Sequence, residues 1–408
     1  DGQEIEGDRS FNVPIYAGAR LSGKLDNNWR MGLLNMQTAA VDGAGLAPAN
    51  YSVGVLQRKV FDRSFVGAIV TNKENWRPDG EGGYEHDPDG YNRVVGLEYN
   101  LFSKDNKWEA ELFYHRSFTP AEDDEDAQAA GLFVGHFLRN WRIFFSSHYV
   151  GDDHDAAIGF IPRTGFFTTS PGITHIRFPN EGWWSERIIS YGFGLRTSFT
   201  LNQPDYRMTD RSIRPSFFVE FPGQSELSLQ YESSYTFLFF PFDPTNTGGL
   251  ELPEDTDYDY GNWRLFYRSD LRRDFYFNTS AELGTYFNGD YQRFNLSLNY
   301  RWQPLGILAL SATYTDIKLP EPYSSAGIWL VGPRAELSFS RKLFFSAFLQ
   351  YNTQANNVNL NTRLQWRFKP VSDVFLVYTD NYFSEGFFAD PRVKNRAIVL
   401  KATYWLNI

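Results

Sequence analysis

The chain has 408 residues, a formal net charge of -10, no cysteine, and 18% aromatic residues against only 3 Met. Mean hydropathy is -0.44, and no run of about 18 apolar residues occurs, which excludes a helical membrane span. Disulfides and thiolate metal sites are excluded for want of thiols, and the acidic balance argues against a general nucleic-acid binder.

The opening DGQEIEGDRSF has neither a basic n-region nor an apolar h-region, so it does not read as a signal peptide. We expect a processed or internal start, with 1–10 as a lead-in and 11–408 as the folded body. Short turn-forming stretches follow at KLDNNW, FDRS and SKDNKW. Acidic stretches alternate with them: NKENWRPDGEGGYEHDPDG, TPAEDDED and later GGLELPEDTDYDYG carry much of the net charge.

Next comes HYVGDDHD, where His148 and His154 stand among Asp152, Asp153 and Asp155. Imidazole and carboxylate together suit divalent cations, but a hydrated acidic turn fits the stretch better. From 152 to 184 the rhythm breaks, and Gly and Pro recur every few residues. So long an irregular connection is usually functional or disordered. Its apolar Ile158, Phe160, Ile161, Phe166 and Phe167 argue for order. Phe160, Arg163 and Phe166 are the residues expected to plug or constrict a lumen, with Arg163 paired to Glu220, Glu226, Glu232 or Glu282; an external loop packed on its neighbours is the alternative.

Beyond this break the alternation is strong. In SELSLQYESSYTF, Leu227, Leu229, Tyr231, Tyr235 and Phe237 oppose Glu226, Ser228, Gln230, Glu232 and Ser234. In DYQRFNLSLNYRWQP, Phe294, Leu296, Leu298, Tyr300 and Trp302 oppose Arg293, Asn295, Ser297, Asn299 and Arg301. The stretches 188–201, 275–287 and 329–342 repeat the dyad, and NVNLNTRLQWRFKP carries it most strictly. Successive strand residues point to opposite faces, so each segment has one apolar and one hydrated face. The loop LPEDTDYDYGN places Glu254, Asp255, Asp257 and Asp259 close together. It lacks the glycine and terminal glutamate of a calcium loop, and solvated surface charge is the better reading.

The pattern predicts an all-β fold: one transmembrane antiparallel β-barrel of roughly 18 to 20 strands. Large aromatics near strand ends (Trp29, Trp108, Trp141, Trp263, Trp302, Trp366 and Trp405) suit interfacial girdles better than a soluble core. Arg196, Glu220, Glu226, Glu232, Arg264, Arg268, Glu282, Arg293, Arg301, Arg334, Glu336, Arg363 and Arg367 would face the lumen. An even strand count is expected for a closed barrel with both ends on one side, but the strand parity slips by one between Trp184 and Phe240. Either 152–184 hides a strand or the N-terminus lies outside. A serine hydrolase finds no support, since Ser146 and His148 share a face at about 7 Å, too far for direct proton transfer. No catalytic residue, metal site or cofactor is expected.

The close KNRAIVLKATYWLNI puts Ile398, Leu400, Ala402, Tyr404, Leu406 and Ile408 on one face. It resembles the terminal strand by which outer-membrane barrels are assembled, with Ile in place of the usual Phe. VPIYAGARLSGKLDNNWRMGLLNMQT, IGFIPRTGF, YESSYTFLFFPF and the stretch from LQYNTQ to VYTDNY together resemble the DUF5916 family over about 11–408. That resemblance implies an outer-membrane barrel of Bacteroidota-type Gram-negative bacteria. It also implies a carbohydrate-binding family-9-like domain that is commonly present before the barrel and is absent from this sequence. It brings no catalytic residues. The expected partners are outer-membrane lipid, lipopolysaccharide and other outer-membrane or surface proteins, with no nucleic acid. The expected function is a porin-like conduit or gated pore for small solutes or glycans, with a non-transporting anchor or scaffold as the alternative.

Overall fold

The computed structural model describes residues 13–41, 45–120, 125–384 and 392–405. It is all-β, with 21 strands in one sheet and every resolved ladder antiparallel. Among the described residues there is no α-helix, and one short 3-10 turn lies at Pro222–Gln224. In chain order the strands run from β1 (Ile15–Lys24), β2 (Trp29–Thr38), β3 (Ala49–Val60), β4 (Ser64–Pro78) and β5 (Tyr84–Phe102) to β6 (Trp108–Phe118), β7 (Gln128–Phe137) and β8 (Trp141–Val150). Then follow β9 (Phe166–Arg177), β10 (Ser190–Asn202), β11 (Arg207–Phe221), β12 (Ser225–Leu238), β13 (Thr256–Arg268), β14 (Phe275–Tyr286) and β15 (Gly289–Trp302). The last six are β16 (Gly306–Lys318), β17 (Ser325–Ser338), β18 (Leu343–Asn352), β19 (Asn357–Lys369), β20 (Ser372–Phe383) and β21 (Arg392–Thr403).

The count is one above the upper end of the sequence expectation, and it is odd. The additional strand is β9, inside the irregular segment. Its sequence FFTTSPGITHIR carries Pro171 and Gly172 and no clean alternation, so pattern alone does not mark it. With β9 counted, connections after odd-numbered strands are short (61–63, 138–140, 370–371), apart from 178–189. Long connections at 39–48, 151–165 and 239–255 all follow even-numbered strands, although 203–206, 287–288 and 353–356, also after even-numbered strands, are short. This is the rim asymmetry of membrane barrels. The short-turn end also carries the girdle, with Trp29, Trp108 and Trp141 opening β2, β6 and β8 and Trp302 closing β15.

What is buried decides between a soluble sheet and a membrane wall. Among the described residues only fifteen apolar side chains are buried, Ala39, Ala49, Ala110 and Ala129 among them, while Trp263 is 54% and Leu265 49% exposed in mid-strand. A water-soluble fold buries its large apolar residues. Here Val70, Val95, Leu97, Leu112, Leu265, Leu283, Phe294, Leu296 and Leu310 lie exposed on the apolar face. This is the fold class of a transmembrane antiparallel β-barrel, with the apolar face outward and the polar face inward. Among the described residues, a buried cluster of Leu238, Leu252 and Phe287 holds the 239–255 connection through its own Leu252.

By contact the chain divides into two units, one of 1–173 with 196–210, the other of 174–195 with 211–408. In the first, β1 pairs with β2 alone among the described residues, and all ten of its residues are exposed. In the second, β21 likewise pairs with β20 alone. Ile398, Leu400 and Ala402 share the outward face of β21 with Leu376 and Val374 opposite, whereas Leu406 and Ile408 lie outside the described residues.

Candidate functional site

The inward face of β12–β20 is built rung by rung from the register. Gln230, Arg264, Glu282, Arg293 and Thr315 stand directly opposite one another on five consecutive strands. Arg264 Nε lies 3.3 Å from Glu282 Oε1, and Arg268 Nη2 donates to Glu226 Oε2 at 2.8 Å. Arg214 pairs with Glu232 at 3.4 Å, and Arg367 donates to Asp373 at 3.0 Å. Arg334 pairs with Glu336 two residues along its own strand. Arg301 reaches the Leu271 carbonyl and covers the Tyr276 ring at 5.1 Å. Half-exposed pairs of this kind each contribute little stability, but together they fix charge of both signs along the wall.

Further along the sheet three inward rungs enclose a depression. They are Arg334–Phe348–Asn361–Thr379, Glu336–Ser346–Arg363–Val377 and Ser338–Phe344–Gln365–Phe375, read across β17 to β20. Ser346, small between two phenylalanines, leaves a hollow of about 400 Å³ bordered by Arg334, Glu336, Phe348, Asn361 and Arg363. A second hollow of about 230 Å³ adjoins it and shares Glu336, Ser346 and Arg363. The sequence pattern pointed to Arg334, Glu336 and Arg363, and the structure brings these three together. Phe344, Ser346 and Phe348 escaped it because LFFSAFLQYN is apolar almost throughout and does not alternate.

The segment 151–165 is stitched to the sheet at both ends. His154 is buried, with Nδ1 3.2 Å from the Ala127 carbonyl. The Asp155 amide donates to the Ser117 hydroxyl at 3.1 Å. Asn92 brackets the next turn, donating to the Asp155 carbonyl at 3.2 Å and accepting from the Ala157 amide at 3.0 Å. Asn92 and Ser117 share the inward face with Val94, opposite the face of Val95 and Leu97. At the far end Arg163 Nη2 donates to Asp210 Oδ2 at 3.2 Å and its guanidinium lies 5.3 Å from the Phe166 ring centre. Arg163 therefore takes Asp210 in place of the four glutamates expected. Each of those has a nearer partner: Glu220 accepts the Ser190 hydroxyl, while Glu226, Glu232 and Glu282 hold arginines. Phe166 opens β9 and so belongs to the sheet, while Phe160 stands 89% exposed between the anchored ends.

One polar cluster lies on the opposite, outward face. Asp380 is 1% exposed, and its Oδ2 accepts from Tyr378, Tyr382 and Arg396, with Arg396 Nε at 3.0 Å. Asp380 stands opposite Arg396, in the same outward row as Tyr378 and Leu376. A carboxylate on a membrane-facing wall is costly unless paired and hydrogen-bonded; the two tyrosines and Arg396 meet that need at Oδ2, while the buried Oδ1 has no partner among the described residues. Among the described residues no three His, Asp or Glu side chains converge as metal ligands.

No family model matches the sequence, and no curated protein matches it. Among solved structures the chain is similar to the ferric-catecholate import receptor Fiu from E. coli K12 in its open form. That likeness has a TM-score of 0.46 at 9% identity, over 95% of this chain and 72% of that one. It is also similar to Salmonella typhi OmpF in complex with daunomycin, with a TM-score of 0.31 at 11% identity, over 81% of this chain and 92% of that one.

Proposed function

We propose that the protein is a porin-like conduit for small solutes or glycans across the outer membrane of a Gram-negative bacterium. One observation carries the reading: the inward face of β12–β20 is lined with paired and unpaired charges, while the facing-out residues of the same strands are exposed and apolar. A barrel of this many strands is too wide for its own side chains to fill, so its interior holds water or a plug. The anchored segment 151–165 supports a narrowed mouth, because its hydrogen bonds run to inward-facing residues of β5 and β6. The resemblance to the DUF5916 barrels belongs to the same proposal and rests on segment order. Single-channel recording in planar bilayers tests it. Steady open-channel current is expected, and an electrically silent, correctly folded protein would overturn it.

A further inference from the structure

We propose that the hollow around Arg363 is a binding station for a small organic monoanion: a carboxylate carried on a planar apolar body. The proposal rests on the conduit reading for its biological setting, and its own support is chemical.

The inward arginines of β13 to β20 mostly have their needs met. Arg264 and Arg293 stand on either side of Glu282, Arg268 holds Glu226, Arg334 holds Glu336, Arg367 holds Asp373, and Arg301 reaches a carbonyl. Arg363 differs. Like Arg293 it has no ion pair among the described residues, but where Arg293 faces Glu282, Arg363 faces only Ser346 and Val377. The Arg363 guanidinium lies 5.9 Å from the Phe375 ring centre. It occupies the middle of β19. A guanidinium presents a planar fork of donors that matches a carboxylate in two parallel hydrogen bonds. With Arg334 and Glu336 tied to each other, one positive charge is left uncompensated at the hollow. Glu336, across Ser346, would repel a second negative charge, which favours a monoanion over a dianion.

The body of the ligand is indicated by the rings. Phe348 is 38% exposed between Arg334 and Asn361, and Phe344 stands two rungs along the same strand, with Ser346 recessed between them. Phe348 is seated over Gly332 of β17, where an added Cβ would lie 3.2 Å from the ring. An apolar ring held open to water beside an unpaired cation suits a ligand with both an apolar plate and a charge. Asn361 and Gln365 on the neighbouring rungs already donate to Thr379 and Asp373, which leaves Arg363 as the donor of the hollow. A neutral sugar would make no use of the cation, and a bare inorganic anion would make no use of the rings.

The test uses sodium benzoate as probe, with benzyl alcohol and sodium sulfate as controls, on the whole protein. Binding is measured by titration calorimetry in detergent and by block of single-channel current. Benzoate is expected to bind and to block, and both controls to do neither at equal concentration. Arg363→Gln should weaken benzoate about tenfold. Ser346→Phe, which fills the hollow and keeps the charge, should weaken it at least as much. Heat-modifiable migration confirms that each variant is folded. Current without benzoate binding overturns this inference and leaves the conduit standing. Benzoate binding without current does the reverse. Equal binding by wild type and both variants places the anion elsewhere and overturns the station.

Discussion

Glu282 stands between two arginines, directly opposite Arg264 of β13 on one side and Arg293 of β15 on the other, with Arg264 Nε 3.3 Å from its carboxylate. Glu282 is ion-paired with Arg264 of β13 and accepts from the Tyr291 hydroxyl of β15 at 3.5 Å, so one acidic residue on the inward face touches both neighbouring strands. Glu282→Gln leaves two guanidinium groups facing an amide. We expect a stability loss of about 1 kcal/mol or less, because Arg264 is about half exposed and such pairs are screened. The larger effect should fall on ion selectivity, with the reversal potential in a potassium chloride gradient moving toward the chloride value. An unshifted reversal potential would place this rung away from the conducting path.

The two faces can be told apart by a pair of adjacent substitutions in β15. Leu296 is on the apolar face and Ser297 on the polar one, opposite Asn278 and Ser311. Leu296→Arg should destabilise the folded protein by about 2–4 kcal/mol in lipid, as charge near the membrane midplane does, whereas Ser297→Arg should be near neutral. Equilibrium unfolding in liposomes with urea reads both. Equal costs would contradict the inward and outward assignment.

How far the fold was legible in the sequence follows from the same alternation. NVNLNTRLQWRFK pairs with both neighbours in the register its pattern demands, with Arg363, Gln365 and Arg367 inward and Leu364 and Trp366 outward. Strands that face lipid on one side and water on the other must alternate, so these were readable. Where a strand packs rings on its inward side the alternation is lost, as in LFFSAFLQYN. In β9 it is lost at Pro171 and Gly172, where the Phe144 ring of β8 takes the inward space. The anchors Asn92, Ser117 and His154 gave no signal because their partners are backbone groups distant in sequence. Asp380 was hidden by the opposite error, a charge on the face where pattern expects none.

Gly172 explains how β9 can belong to the wall. A Cβ at this position would run into the Phe144 ring of β8, which is also covered by the Arg196 guanidinium at 5.6 Å. Gly172→Val should therefore overpack the wall and cost about 1–3 kcal/mol. Trimming the ring in a Gly172→Val, Phe144→Ala double variant should recover much of that loss. Denaturant midpoints for the two single variants and the double variant give the coupling. Strict additivity would mean that the ring and the glycine do not share the space the geometry assigns them.

The absence of native cysteine makes the segment 151–165 open to a clean test. Phe160 is 89% exposed and lies between the anchors at Asn92 and Ser117 on one side and Asp210 on the other. Phe160→Cys introduces a single thiol without removing a packed side chain, so folding should be unaffected. If the segment narrows the mouth of the conduit, coupling a bulky maleimide to this thiol should lower the open-channel current, while a small one should change it little. Releasing the anchors should act in the opposite direction. Asn92→Ala with Ser117→Ala removes the partners of the Asp155 and Ala157 amides, each hydrogen bond contributing about 1 kcal/mol, and should give larger and noisier currents. Complete labelling by mass, with current unchanged at either size of reagent, would show that 151–165 lies clear of the path.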